Sequence, residues 1–187
     1  MADFTMPFPD KNLAKRELEM DPCYGKIPAE DRDRIAEQAW KKGEQAANDL
    51  FKTQGGKDFL SITRESGLTV KKRDRDFVAG GQRYFSDYIS GRKLINLYMK
   101  SVGMWARKNH LTESRAVDMI LSHEYFHFLE CTSIGLTSRE YQVPMIIAGR
   151  FRIGHTGIRA LSEIGAHAFT RTWYLLSGPE EEKHEET

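Results

Sequence analysis

Only two cysteines, Cys23 and Cys131, occur in the 187 residues. They are too few and too far apart for a disulfide framework or a thiolate zinc cluster, so a reduced, cytoplasmic setting is the expectation. An excess of either charge is also lacking. The 28 Lys and Arg stand against 27 Asp and Glu, a net charge of +1, which gives no global field for nucleic acid or an anionic membrane surface. No apolar run approaches the roughly 18 residues of a membrane span. Met1 to Thr5 has no basic segment leading into an apolar one, so no secretory signal is expected either. Lys71, Lys72, Arg73 and Arg75 form a basic cluster, but Asp74 and Asp76 interleave with it, and a solvated strand end explains it better than a phosphate contact. Ala79-Gly80-Gly81-Gln82 lacks the spaced glycines and the Lys-Ser/Thr ending of a nucleotide loop. No internal repeat is present.

What remains is enough for one core. Residues 1–27 mix Pro7, Pro9 and Pro22 with charge and read as an extended N-terminal arm, 28–178 as the folded domain, and 179–187 as an acidic, disordered tail. From Pro28 the pattern is helical, with Ala36, Trp40, Gly43, Ala47, Leu50 and Phe51 on one face, until Gly55-Gly56 stops it. Between Gly67 and Met99 the period shifts toward two, giving strands near Leu68–Lys72, Arg83–Ile89 and Arg92–Met99. A short helix is expected over Val102–Asn109, and a second one capped by Thr112 runs to about Cys131. Thr137-Ser138-Arg139-Glu140 has capping-box spacing and opens another helical stretch, broken or begun by Pro144. Gly149 to Gly157 reads as a basic loop, and Thr156 is a candidate cap for a last helix reaching Gly178-Pro179. The class implied is α+β, a small twisted, mainly antiparallel sheet covered on one side by helices.

The chemistry is concentrated in Ser122-His123-Glu124-Tyr125-Phe126-His127-Phe128. On a helix, His123 and His127 are separated by about 40° of rotation and about 6 Å of rise, so their rings can converge on one metal ion. Glu124 is offset by about 100° and can reach a water on that ion without ligating it. A zinc hydrolase needs a third protein ligand and an open fourth position. Glu163 is the candidate: its neighbours Leu161, Ile164 and Ala168 imply burial, where a carboxylate needs a cation. The competing explanation for Glu163 is an ion pair with Arg159 at helical spacing, and for Glu124 one with Arg150 or Arg159. His167, four residues after Glu163, could be a third ligand, a group bonded to Glu163, or a hydrogen-bond donor to the transition state; the second is preferred because two ligands from one helix would close the open position. His155 and Tyr174 are the other candidates for stabilising an oxyanion.

These residues resemble the gluzincin group of zinc metallopeptidases, with His123, Glu124 and His127 matching the two ligands and general base and Glu163 the downstream third ligand. The order helix, small sheet, active-site helix, third-ligand helix is similar to the minimal gluzincin domain of the ImmA/IrrE-like metallopeptidases. The resemblance implies a zincin-like fold, Zn²⁺ on His123, His127 and Glu163, peptide or protein substrates, and the Arg92–Met99 strand as the edge along which a substrate lies. Two features depart from it: no Asp follows Glu163 where thermolysin-like enzymes have one to support a ligand histidine, and no helix-turn-helix is present. Two other classes fit parts of the pattern. Glu124-Tyr125-Phe126-His127 has the Glu-x-x-His spacing of a carboxylate-bridged di-iron bundle, although Glu163 and His167 are spaced by four. A non-catalytic zincin-like binding module would carry the same residues.

Overall fold

A computed structural model describes residues 6–148 and 151–178. Six α-helices, α1 (Lys11–Met20), α2 (Ala29–Gln54), α3 (Phe59–Glu65), α4 (Met99–Lys108), α5 (Glu113–Leu129) and α6 (Arg159–Ser177), are combined with seven short strands, β1 (Thr69–Arg73), β2 (Phe77–Ala79), β3 (Gln82–Tyr84), β4 (Ser86–Ile89), β5 (Leu94–Tyr98), β6 (Gln142–Ala148) and β7 (Phe151–Gly157). The class is α+β. No helix among the described residues is long and apolar enough to cross a membrane.

The strands form three separate sheets. In the largest, the order is β1-β5-β4, with β5 parallel to β1 and antiparallel to β4. All five β5 residues are buried, as suits a strand with a neighbour on each side and a helix above. The Arg92–Met99 strand is therefore central, not an edge; the free edge beside α5 is β4. The Arg83–Ile89 stretch is not one strand. It divides at Phe85, its first part pairing with β2 and its second with β5. Gly80 and Gly81, at φ 58° and 78°, make the β2–β3 turn, a conformation that glycine adopts without the steric cost a side chain brings.

The N-terminal stretch is not extended throughout. Asp10 caps α1 by accepting the amides of Asn12 and Leu13, both at 2.9 Å, and Ala14 and Leu18, one turn apart, bury against α2 and α6. Asp21 then accepts the Ala160 amide at 3.0 Å. This carboxylate, 139 residues away in the chain, satisfies the start of α6; Thr156 lies in β7 and does not cap it. Residues 179–187 lie outside the described residues.

The segment after α5 also departs from expectation. Thr137–Arg139 is a single 3₁₀ turn, followed by the β6–β7 hairpin and not by a helix and a loop. The Glu140 carboxylate bonds Lys42 on α2 and does not reach back to complete a capping box. The run Val143 to Ala148, rich in β-branched residues, then favours a strand.

α5 is buried on nearly all sides, against β4 and β5, α3, α4 and α6, so its core-facing surface is wider than one stripe. Cys131, just past the end of α5, is exposed. The most extensive helix pairing is α2 with α6. It depends on two glycines: a Cβ on Gly43 would sit 2.1 Å from the Gly165 carbonyl oxygen, and one on Gly165 would sit 2.7 Å from Phe126 Cζ of α5. Three helices thus meet at one close approach, two residues from Glu163.

Candidate metal centre

His123 and His127, one turn apart on α5, direct their Nε2 atoms toward Glu163 on α6. Glu163 Oε2 is 3.3 Å from His123 Nε2 and 3.9 Å from His127 Nε2, and one donor atom from each residue lies within 4.8 Å of the others. Bonds of about 2.0 to 2.2 Å to a tetrahedral ion imply donor-to-donor edges of about 3.3 to 3.6 Å, so the trio is close to the spacing needed to hold a metal. Two imidazole nitrogens and one carboxylate oxygen suit a divalent first-row ion.

Glu130, which sequence patterning did not single out, orients one of these ligands. It lies in the wider π-type turn that continues α5, three residues past His127, and its Oε2 is 3.0 Å from His127 Nδ1. Its Oε1 accepts the Thr137 amide and the Ser162 hydroxyl, both at 2.8 Å. With only 4% of its surface exposed, this acceptor-only carboxylate holds an imidazole proton on Nδ1, so that the ring, once neutral, offers its Nε2 lone pair on the side of Glu163. Among the described residues His123 has no such support, and its buried Nδ1 finds no hydrogen-bond partner.

The electrostatics follow from this clustering. Burial favours a neutral His127, but the Glu130 hydrogen bond and the charges of Glu163, Glu124 and Glu130 outweigh it and raise its pKa to about 9. Burial would raise the Glu163 pKa; the His123 contact and the three surrounding histidines instead hold it well below the usual carboxylate range. Desolvation, with the charge of His123 beside it, lowers the pKa of the partly buried His167 to about 3.

Glu124 is 6% exposed. Its partner is the Ser86 hydroxyl on β4, which donates to Oε1 at 2.5 Å; no ion pair with an arginine is found for it among the described residues. Arg159 does approach Glu163, at 4.0 Å from Oε1, but is itself 85% exposed, so that pair is screened and coexists with the histidine contacts.

No family model, curated protein or solved structure matches the chain.

The other candidates separate clearly. The His167 ring lies 5.1 Å from the His123 ring, and its Nε2 is 3.9 Å from Glu17 Oε1 on α1. It adjoins the trio without a hydrogen bond to Glu163, contrary to the preferred assignment, and its buried Nδ1 has no partner among the described residues. His155 lies on β7 opposite Pro144, is exposed, and is not in contact with the trio. Tyr174 is buried; its hydroxyl bonds Asp118 of α5 and its ring stacks under Arg115. It joins α6 to α5 about three helical turns, or roughly 16 Å, from Glu163, and its hydroxyl is not offered to a substrate. Glu17 and Phe8, both N-terminal, were not legible as neighbours of the centre.

Proposed function

We propose that the chain is a zinc-dependent metallopeptidase of zincin-like, gluzincin-type organisation. The observation that carries this reading is the convergence of His123, His127 and Glu163 from two helices, with Glu124 buried beside them on the first. A zinc ion held there supplies an acidified water and polarises a substrate carbonyl. Glu124, adjacent to the first ligand and outside the donor trio, is the base: Ser86 occupies its Oε1, leaving Oε2 to take the water proton and deliver it to the leaving amine. Glu130 keeps His127 in the ligating tautomer. β4 carries Ser86 and has one unpaired edge among the described residues, which suits an extended peptide adding as a further strand.

The test is Glu124→Gln in a zinc-loaded chain. Elemental analysis should still find one zinc per chain, distinguishing it from iron, while peptide hydrolysis falls at least 100-fold, the lower range for losing a general base. An unchanged hydrolysis rate removes the mechanism.

A further inference from the structure

The stretch Met6–Pro9 precedes the Asp10 cap of α1 and lies against the metal centre. Phe8 is its anchor. The ring stands 5.6 Å from Trp105 of α4 in an edge-on contact, 6.0 Å from the ring of His123 and 5.8 Å from that of His167. Trp105 is in turn 5.8 Å from Phe85, the residue before Ser86 on the free-edge strand. Phe8 therefore packs among α4, α5 and α6 on the side where Phe85 leads into β4, whose Ser86 bonds Glu124 of α5. Pro7 and Pro9 flank it and remove two amide donors. Among the described residues, the stretch is tied to the fold by one hydrogen bond, from Arg171 Nη1 to the Phe8 carbonyl at 3.4 Å. Its hold is the burial of side chains and not of backbone.

We infer that Met6–Pro9 is an intramolecular occupant of the substrate cleft, and that the pocket among Trp105, His123 and His167 takes a large aromatic side chain of the substrate when this arm withdraws. The inference rests on reading the cleft as peptide-binding. A side chain that merely fills a core is usually delivered by a helix or strand, whereas Phe8 reaches a candidate metal ligand from a bent, proline-flanked stretch outside any such element, as a bound peptide would. α1, held by Asp21 on α6 and by Glu17 beside His167, keeps the arm at high local concentration, so a free peptide must compete with it.

The experiment uses full-length, zinc-loaded protein, wild type and Phe8→Ala, titrated by calorimetry with the blocked tetrapeptide Met-Pro-Phe-Pro and with Met-Pro-Ala-Pro. Phe8→Ala should bind the phenylalanine peptide at least tenfold more tightly than wild type does, ignore the alanine peptide, and lose zinc to a chelator at least threefold faster. Arg171→Ala, which frees the arm without emptying the pocket, should move in the same direction by a smaller factor and guards against a folding defect in the first variant. Equal binding by wild type and both variants, or binding indifferent to the aromatic ring, overturns the inference. Turnover separates the two readings: aromatic binding without hydrolysis leaves the arm and removes the peptidase, whereas hydrolysis with no gain in binding removes the arm alone.

Discussion

At the scale of single residues, Glu130 shows how a candidate ligand is prepared. His127 can offer Nε2 only if Nδ1 keeps its proton, and the Glu130 carboxylate enforces that because it can only accept. Glu130→Gln replaces half of the acceptor with a donor that favours the opposite tautomer. Zinc affinity should fall roughly 10- to 100-fold, measured by chelator competition, the range seen when such supporting groups are lost. The raised His127 pKa has its own consequence. Without metal, a group held at about 9 is protonated at neutral pH, and zinc must displace that proton. Apparent affinity should tighten about tenfold per pH unit between 6.5 and 8.5 and flatten above about 9; a flat profile across that range contradicts the assignment. The sign is opposite for the metal-free fold: the charged-His127 contribution is complete below its ordinary 6.5 and is lost as pH rises through about 9. His123, Glu124, His127 and Glu163 were legible because local spacing and apolar context constrain them. Glu130 was not, since an acidic residue three after a histidine means nothing until Thr137 and Ser162 close around its other oxygen. His155 and Tyr174 show the complementary limit: residue type suggests chemistry, but the fold puts one at an exposed strand position and pairs the other with Asp118.

At the scale of elements, the ligand geometry is a matter of helix spacing. Gly165 lies against Phe126, so α5 and α6 approach closely between their ligand-bearing turns. Gly165→Ala should force Phe126 and α5 outward, destabilise the chain by about 1 to 3 kcal/mol, and weaken zinc binding further than an equally destabilising change remote from the site. Thermal melts paired with zinc titrations measure both; full zinc affinity in the variant would show that spacing is not set there. The ends of α2 and the cap of α5 were readable from Pro28, Gly55 and Thr112, as local backbone chemistry allows. α1 escaped because its buried stripe is little more than Ala14 and Leu18, too short to show a period. The β6–β7 hairpin escaped because the Thr137–Glu140 spacing mimics a helix start while Glu140 is engaged by Lys42.

At the scale of the molecule, the centre joins helices separated by the hairpin and the π-type turn, so metal should act as a clamp on the whole fold. Zinc at 100 times its dissociation constant contributes about 2.7 kcal/mol, and for a domain of this size chelation should lower Tm by roughly 5 to 10 °C, reversibly on adding zinc back. A Tm indifferent to chelation rules out the clamp. The α+β class and a His-Glu-x-x-His helix capped by Thr112 follow from the sequence by itself, because rise, rotation and capping act over a few neighbouring residues. Only the tertiary structure decided that β5 is central and β4 an outer strand, that Glu130 backs His127, that Asp21 caps α6 and that Phe8 rests on His123. Except for the short-range Glu130 contact, these outcomes depend on partners brought together from distant positions; for Glu130 too, the completing bonds come from beyond its own turn. Such contacts are selected by packing and burial in the assembled core, which periodicity along the chain does not record.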